Sequence, residues 1–198
     1  MLTDIIVIDK IFNNPEHLES QARKFSYYNC ESHPFPIKTG NKMFYSGYRT
    51  ESLHILNENL YVSYNSEILN KIADTSFGLY RSDMSFNYAG QMFFHYMTRD
   101  NVIDDTWFHK DPALYAGVIY LQKNPPQNSG TILIKDDEEK IVENKYNRLV
   151  LYRSDLMHSS QSAFGNSIED GRLTLTFTYN ILAFDIKFNN EKFKTNVY

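Results

Sequence analysis

The sequence lacks several features that would assign it to a special class of protein. Cys30 is its single cysteine, so no disulfide can form within the chain, which fits a reducing compartment. No run of lysine or arginine is present and the net charge is −4, so the pattern typical of nucleic-acid-binding proteins is missing. No apolar run is long enough to cross a membrane, and the opening "MLTDIIVIDK" is unlike a secretory signal. We therefore expect a cytoplasmic protein with no nucleic-acid or membrane partner.

Tryptophan is scarce, whereas tyrosine and phenylalanine are abundant, with 15 and 14 residues. Such a composition favours β-strands. The length of 198 residues, with no linker or repeat, predicts a single domain over 1–198. Residues 1–76 are expected to form a strand–helix front end that supports a β-rich core at 77–184. "DIIVID" predicts a strand, and a helix over 13–28 follows, with Asn14 as its cap and Pro15 in its first turn.

Two further helical stretches are predicted at roughly 50–57 and 65–74, after a loop at 30–48. Beyond them, short β-rich runs alternate with turn signals such as "QKNPPQNSG" and "KDDEEK", and the acidic residues 136–139 predict a solvated hairpin tip. Many short strands after a helical front end indicate a β-sandwich or barrel with helices packed outside. The predicted strands are 77–88, 91–98, 104–108, 115–122, 130–134, 140–143, 147–152 and 172–184.

The stretch "TWFHKDPALYAGVIYL" places His109 and Asp111 two positions apart. On a strand, residues i and i+2 point the same way, so the pair would present an imidazole and a carboxylate side by side. The pair by itself leaves two interpretations open. It is either a strand-end histidine bonded to its neighbour, or part of a site that needs a third group.

The downstream sequence supplies further polar residues in order. His158 follows the apolar run of "RLVLYRSDLMHSS", and "GRLTLTFTYNIL" then alternates strictly between leucine or aromatic residues and threonines. The threonine face is either the solvent side of an edge strand or the lining of a cavity, with Arg172 at its mouth. If the second interpretation holds, Leu173 and Leu175 pack outward against a helix or the neighbouring sheet.

Two imidazoles and one carboxylate on one face of a metal form the 2-His-1-carboxylate triad of non-haem Fe(II) oxygenases. This triad leaves positions open for the 2-oxo acid end of 2-oxoglutarate and for O₂. The far carboxylate of 2-oxoglutarate then needs a cation, and an arginine fork suits it because it binds a carboxylate through two hydrogen bonds. Arg172, at the start of the strand after His158, fits that role.

With these motifs, the chain resembles the Fe(II)- and 2-oxoglutarate-dependent dioxygenases, in particular their prolyl-hydroxylase-like branch. The resemblance covers about residues 77–184 and rests on "HKD", "GVIYLQKN", "SGTILI", "RLVLYRSDLMHSS" and "DGRLTLTFTYN" in the family's order. The front end, with "YSGYRTESL", is similar to a subgroup of small microbial and viral proteins. The resemblance implies a double-stranded β-helix (jelly roll), mainly β, with N-terminal helices packed on one sheet.

The resemblance also implies roles for individual residues. His109, Asp111 and His158 would be the iron ligands, and Arg172 would hold the C5 carboxylate of 2-oxoglutarate. Tyr120 would touch the same carboxylate, although a core aromatic with its hydroxyl bonded elsewhere is the alternative. Thr174 matches the family's Arg-x-Ser position. The sequence departs from the family's pattern in two places. The spacing from His158 to Arg172 is longer than in many relatives, so another residue could help hold the carboxylate. "SGTI" has one glycine where relatives often have two.

The reaction implied is oxidative hydroxylation, in which Fe(II) and 2-oxoglutarate activate O₂ and release CO₂ and succinate. The substrate would be an amino acid, a prolyl residue in a peptide, or a small metabolite. His95 or Tyr96 could face it, and a loop at 40–50 with Tyr45, Tyr48 and Arg49 could close over the site. Two rivals stay open: a non-catalytic jelly-roll binding protein, and a cupin-type metalloenzyme that does not use 2-oxoglutarate.

Overall fold

The computed structural model describes residues 4–34, 45–77, 84–101, 107–188 and 191–196. Three helices alternate with strands at the front of the described chain, and strands fill the remainder. The helices are α1 (Pro15–Ala22), α2 (Leu53–Leu56) and α3 (Glu58–Phe77). The strands are β1 (Ile5–Asp9), β2 (Tyr48–Arg49), β3 (Met84–Met97), β4 (Tyr115–Tyr120), β5 (Thr131–Lys135), β6 (Glu138–Val142), β7 (Arg148–Arg153), β8 (Met157–Ser160), β9 (Arg172–Phe188) and β10 (Glu191–Asn196).

Two antiparallel sheets contain these strands. The larger has the order β1-β7-β4-β9-β3-β2, with β10 paired to the far end of β9, and the smaller has the order β6-β5-β8. Strand β1 of the front end pairs with β7 from Ile5 opposite Tyr152 to Asp9 opposite Arg148. The front end is therefore a structural part of the larger sheet.

One face of the larger sheet packs against the helices. Leu173, Leu175, Phe177 and Tyr179 of β9 are buried in the same apolar cluster as Leu18 of α1 and Ile68 of α3. The Tyr179 hydroxyl donates a hydrogen bond to the Asn65 side chain of α3. The expected outward packing of Leu173 and Leu175 is confirmed.

The opposite face of the larger sheet meets the smaller sheet. A second apolar cluster fills part of the space between them and includes Val118 and Tyr120 of β4, Leu133 of β5 and Val150 of β7. Because side chains alternate along a strand, Thr174 and Thr176 of β9 also point to this side. Thr174 is fully buried, so the interpretation of an edge strand with threonines in water is wrong. Strand β9 is central, between β4 and β3.

The beginning of α1 follows the sequence prediction. Asn14 accepts a hydrogen bond from the His17 backbone N–H at 3.1 Å, and Pro15 starts the helix. The helix ends at Ala22, earlier than predicted, and the backbone turns at once, since Phe25 N–H bonds to the Ala22 carbonyl. The predicted hairpin tip is also confirmed: Asp136 and Asp137 have positive φ and lie exposed between β5 and β6.

Other boundaries differ from the predictions. The two predicted strands over 77–88 and 91–98 are one long strand, β3, since its pairing with β9 is continuous apart from a register shift at Asn87/Tyr88. Helix α3 runs to Phe77, beyond the predicted end at 74. The predicted strand at 104–108 lies mostly outside the described residues, and residues 107–108 are not in a strand. Strands β2, β8 and β10 were not predicted, and the first two are too short to carry a periodic signal.

Among the described helices, none is long and apolar enough to cross a membrane.

Candidate functional site

The structure brings His109, Asp111 and His158 together at one end of the space between the sheets. One ligand-type atom from each lies within 4.8 Å of the others. Asp111 bridges the histidines: Oδ1 lies 3.8 Å from His109 Nε2, and Oδ2 lies 3.5 Å from His158 Nε2. His158 is buried, Asp111 is partly buried, and His109 is exposed, with a side-chain exposure of 54%.

The His109–Asp111 pair is held differently from the prediction. The two residues do not lie on a regular strand. Instead, His109 forms an isolated bridge with His158, and the Asp111 N–H donates to the Ser154 carbonyl at 3.0 Å. These backbone bonds dock the segment onto β8 and the turn that precedes it, and thereby place the carboxylate between two rings.

Both histidine rings are oriented by backbone carbonyls. His109 Nδ1 lies 2.8 Å from the Trp107 carbonyl, and His158 Nδ1 lies 3.0 Å from the Leu156 carbonyl. A carbonyl oxygen can only accept, so each Nδ1 must carry the hydrogen. Each Nε2 is then left with a lone pair directed at the shared site, which is the arrangement that metal-binding histidines adopt.

The electrostatics of Asp111 keep it anionic. Burial, the largest influence, raises the pKa of this carboxyl, but the contacts with His158 and His109 and the charge of Arg49 together outweigh burial and hold the pKa below its ordinary value. The site therefore presents two nitrogen lone pairs and one carboxylate. That donor set suits Fe(II) and similar divalent ions. The three donors are near enough for one ion to contact all of them after small side-chain rotations.

A cavity of about 290 Å³ adjoins these residues. The side chains that line it come from five strands of the larger sheet, β2, β3, β4, β7 and β9, together with the triad and a few residues of the smaller sheet. Among them are Arg49, Gln91, Phe93, His95, Ala116, Val118, Thr131, Tyr152, Arg172, Thr176 and Thr178. The volume is near the lower end of the range for small-molecule pockets.

Arg172 is buried inside this cavity and not at its mouth, since it is only 2% exposed. Its Nε donates to the Ser129 carbonyl at 3.0 Å, and Nη2 donates to the Gly130 carbonyl at 3.3 Å. Its guanidinium carbon lies 5.5 Å from the centre of the Tyr120 ring. No carboxylate among the described residues pairs with it. A buried cation with several N–H groups unused is suited to bind an anion.

Gly130 supports this arrangement sterically. A Cβ at this position would lie 2.0 Å from the Val142 carbonyl oxygen, so only glycine fits against the end of β6. The single glycine of "SGTI" therefore occupies a position where close backbone approach requires it.

Tyr120 and Thr174 lie near Arg172 but are fully buried. The Tyr120 hydroxyl is hydrogen-bonded to Thr131 Oγ1 at 2.7 Å, and the Tyr120 side chain also lies beside the Arg172 guanidinium. The Thr174 hydroxyl donates to the His95 carbonyl at 3.2 Å. Their contact with 2-oxoglutarate stays a prediction.

The remaining candidate residues, His95 and Tyr96, lie on opposite faces of the larger sheet. His95 lines the cavity, and its Nε2 lies 2.6 Å from the Ser46 carbonyl. Tyr96 points the other way and stacks on Tyr48, with ring centres 4.9 Å apart. Residues 40–44 of the predicted loop lie outside the described residues, whereas Tyr45 and Arg49 line the cavity.

Sequence reasoning missed the contributions of Thr131 and Tyr152. Tyr152 places its ring against the His158 ring, with centres 4.7 Å apart. The alternation of "RLVLYR" could have revealed it, because Val150 and Tyr152 share a face opposite to Leu149 and Leu151. For Thr131 no signal in the sequence indicates the partner, since Tyr120 is distant along the chain.

No family model matches the chain, and no curated protein matches it by sequence. Solved structures do match over most of its length. An oxidoreductase of the 2OG-Fe(II) oxygenase family from Burkholderia pseudomallei is 11% identical with a TM-score of 0.55, over 89% of this chain and 84% of that one. HygX from Streptomyces hygroscopicus, solved with nickel and 2-oxoglutarate, is 12% identical with a TM-score of 0.55, over 91% and 84%.

EctD from S. alaskensis, solved with 2-oxoglutarate and 5-hydroxyectoine, is a third such structure. It is 14% identical, with a TM-score of 0.54 over 90% of this chain and 72% of that one. At such low identity the likeness is one of fold. The chain has the double-stranded β-helix fold, as the sequence predicted.

Proposed function

We propose that this protein is an Fe(II)- and 2-oxoglutarate-dependent oxygenase. One observation carries the proposal: the His109, Asp111 and His158 cluster opens into the same cavity as Arg172, which is buried and has no carboxylate partner in the described ranges. A metal triad alone would suit many metalloenzymes. A buried guanidinium in the same cavity adds the recognition of an anion, which 2-oxoglutarate supplies.

The roles of the residues follow from their donors. His109, Asp111 and His158 would hold the iron through two Nε2 atoms and one carboxylate. Arg172 would bind the C5 carboxylate through the N–H groups that Ser129 and Gly130 leave free. Fe(II) held there, with 2-oxoglutarate and O₂, would supply the oxidising power for hydroxylation of a substrate C–H bond, with CO₂ and succinate as the other products.

The chain itself positions the reactants and excludes water. The carbonyls of Trp107 and Leu156 fix the histidine rings before metal arrives, so little rearrangement is needed on binding. The Ser129 and Gly130 carbonyls fix the guanidinium in the same way. Val118 and Tyr152 contribute apolar surface to the cavity, which lowers the local dielectric and strengthens the charge–charge contact with Arg172.

The finer assignment is hydroxylation of a small molecule or of a peptide residue. Two of the structural neighbours were solved with a small molecule bound besides 2-oxoglutarate: HygX with hygromycin B, and EctD with 5-hydroxyectoine. The small cavity of this chain supports the same class. An amino acid, a peptidyl proline and a small metabolite are the substrates we place first.

Each of the two rivals is disfavoured by a different feature of the site. A cupin-type enzyme without 2-oxoglutarate would have no use for a buried Arg172. A non-catalytic jelly-roll binding protein would have no need of two oriented Nε2 lone pairs around a carboxylate. Both rivals therefore leave part of the site unexplained.

The test is an anaerobic titration of the Fe(II)-loaded protein with 2-oxoglutarate. A saturable metal-to-ligand charge-transfer band is expected, followed on exposure to O₂ by slow conversion of 2-oxoglutarate to succinate even without added substrate. Iron binding with no effect of 2-oxoglutarate would favour the cupin-type enzyme. Failure to bind iron would favour the binding protein.

A further inference from the structure

A second arginine lies in the cavity and is not used by the proposed co-substrate site. Arg49, on β2, lies directly opposite His95 of β3, and His95 in turn lies opposite Thr174 of β9. Side chains of directly paired residues share a face, so Arg49 points to the same side of the sheet as Thr174. Besides its pairing with β3, the backbone of Arg49 forms two hydrogen bonds of 2.9 Å with the backbone of Tyr28.

The side chain of Arg49 contacts aromatic rings instead of a carboxylate. Its guanidinium carbon lies 4.5 Å from the centre of the Tyr45 ring and 5.3 Å from that of Phe93. Its Nε is shielded from solvent, and no hydrogen-bond partner for it exists in the described part of the chain. A shielded charged donor without an acceptor is unfavourable, so this position calls for an acceptor from a bound molecule.

The two arginines in the cavity differ in the hydrogen-bond acceptors that the protein supplies to them. Arg172 is held by the Ser129 and Gly130 carbonyls, whereas the Arg49 Nε has no acceptor among the described residues. Arg49 lines the cavity together with Asp111, yet no ion pair joins these two described residues. By register, Arg49 lies level with Thr174, two residues along β9 from Arg172, so both guanidinium groups belong to the same cavity.

His95 lies near both arginines and supplies no negative charge that would balance them. Burial first, and then the charge of Arg49, lower the pKa of His95 to about 3, so it is neutral at physiological pH. The cavity thus contains two guanidinium groups and, apart from Asp111, no anionic side chain among its described lining residues. One bound dicarboxylate at Arg172 would leave Arg49 still unpaired.

We propose that Arg49 binds a carboxylate of the primary substrate, which is therefore a small carboxylic acid such as a free amino acid. The inference rests on the proposed function, because it takes 2-oxoglutarate as the occupant of Arg172. The planar fork between the Tyr45 and Phe93 rings suits a planar carboxylate. The limited cavity volume argues for a small molecule and against a long peptide.

The test uses acetate as the probe and acetamide as its uncharged counterpart. Thermal unfolding of the protein loaded with Mn²⁺ and saturating 2-oxoglutarate is followed while each is added. Acetate should raise the Tm of the wild type by about 2–4 °C at saturation, and acetamide should not. Arg49→Gln should weaken acetate binding about tenfold or more, whereas Arg153→Gln, which changes an exposed arginine, should leave it unchanged.

Several outcomes would overturn the inference. Equal acetate shifts in wild type and Arg49→Gln would show that acetate binds elsewhere, for instance at the metal. Equal effects of acetate and acetamide would show that charge is not recognised. Should Arg49→Gln fail to fold, Arg49→Lys serves instead, because it keeps the charge and loses the fork, and acetate binding unchanged in that variant would contradict the role of the fork.

A 2-oxoglutarate titration of the same variants separates this inference from the proposed function. Arg49→Gln should bind 2-oxoglutarate with an affinity within about threefold of wild type, since Arg172 is intact. A collapse of 2-oxoglutarate binding would assign Arg49 to the co-substrate and refute the inference alone. If wild type binds neither Mn²⁺ nor 2-oxoglutarate, the proposed function fails, and the substrate assignment of Arg49 fails with it.

A second probe set tests the substrate class directly. The free L-amino acids and their C-terminal amides are compared in the same unfolding assay on the Mn²⁺- and 2-oxoglutarate-loaded protein. At least one acid should bind more tightly than acetate, and its amide should lose about tenfold or more in affinity. No preference for any acid over its amide would overturn the assignment.

Discussion

His109 and His158 are joined by two backbone hydrogen bonds. The His109 N–H donates to the His158 carbonyl at 3.1 Å, and the His158 N–H donates to the His109 carbonyl at 3.0 Å. The two candidate ligands therefore have their spacing fixed by main-chain atoms, and their rings lie 4.3 Å apart between centroids. Changes to either side chain should alter the donor set while the backbone stays in place.

The first prediction follows from this arrangement. His109→Ala, Asp111→Ala and His158→Ala should each weaken divalent-metal binding by more than about a hundredfold, since loss of an outer-shell partner alone costs about 10–100-fold. Mn²⁺ titration monitored by electron paramagnetic resonance measures this, and circular dichroism checks the fold. His54→Ala, which removes an exposed histidine of α2, is the matched control and should bind normally. Tight stoichiometric Fe(II) binding by Asp111→Ala would contradict the assignment.

The second prediction concerns Arg172. Arg172→Ala should lower 2-oxoglutarate affinity by roughly thirtyfold or more and leave iron affinity nearly unchanged, because a buried charge pair that loses one partner costs about 2–5 kcal/mol. Arg172→Lys should recover part of the loss, since it restores charge without the fork. The charge-transfer band of the anaerobic Fe(II) complex reports the affinity. Equal affinities in wild type and Arg172→Ala would show that the anchor is another residue.

A third prediction concerns the buried hydrogen bond between Tyr120 and Thr131. Tyr120→Phe and Thr131→Val should each lower the free energy of unfolding by about 1–2 kcal/mol, because each leaves a buried hydroxyl without its main partner. The double variant should cost less than the sum of the two. Urea unfolding of all four proteins measures this coupling. Strict additivity would mean that the two hydroxyls do not interact.

The same variants separate two roles for Tyr120. If its hydroxyl touches 2-oxoglutarate, Tyr120→Phe should weaken co-substrate binding more than Thr131→Val does. If the hydroxyl only supports Thr131 and the ring supports Arg172, both variants should bind 2-oxoglutarate nearly as wild type. We expect the second result, because the hydroxyl is already bonded at 2.7 Å and the residue is fully buried.

A fourth prediction concerns pH and the contact between β1 and β7. Hydrogen bonds from Arg148 and then Lys145 lower the pKa of Asp9 to about 2, from 3.8. The folded form binds its proton more weakly than the unfolded chain, so the stabilisation is present above about pH 4 and is lost as the pH falls towards 2. Because Asp9 is substantially exposed, we expect only about 0.5–1 kcal/mol.

Asp9→Asn should therefore lower the free energy of unfolding at pH 7, and the difference from wild type should shrink between pH 4 and pH 2. Urea unfolding at several pH values measures it. In the Arg148→Gln, Lys145→Gln background the same substitution should have little effect, since both partners of Asp9 are gone. An undiminished effect at low pH would show that packing, and not charge, is responsible.

The sequence by itself determined the strands with clear alternation and the order of the site motifs. In "RLTLTFTY", residues of one kind fall on one face because side chains alternate along a strand, and that pattern alone predicted a buried leucine face. The cap and first turn of α1 were likewise local, since Asn14 and Pro15 act within one turn. His109, Asp111, His158 and Arg172 could be named because their residue types and order resemble a known family.

Only the tertiary structure decided how those residues meet. The two backbone hydrogen bonds between His109 and His158 join segments far apart in the chain, and no local pattern predicts such a contact. The length of β3 was decided by its pairing with β9, which runs through Gly90 and joins the two predicted strands into one. The short strand β2 has too few residues for any periodicity, yet its register opposite His95 is what turns Arg49 into the cavity. Such contacts depend on the packing of two whole sheets, whose free energy is summed over many distant residues.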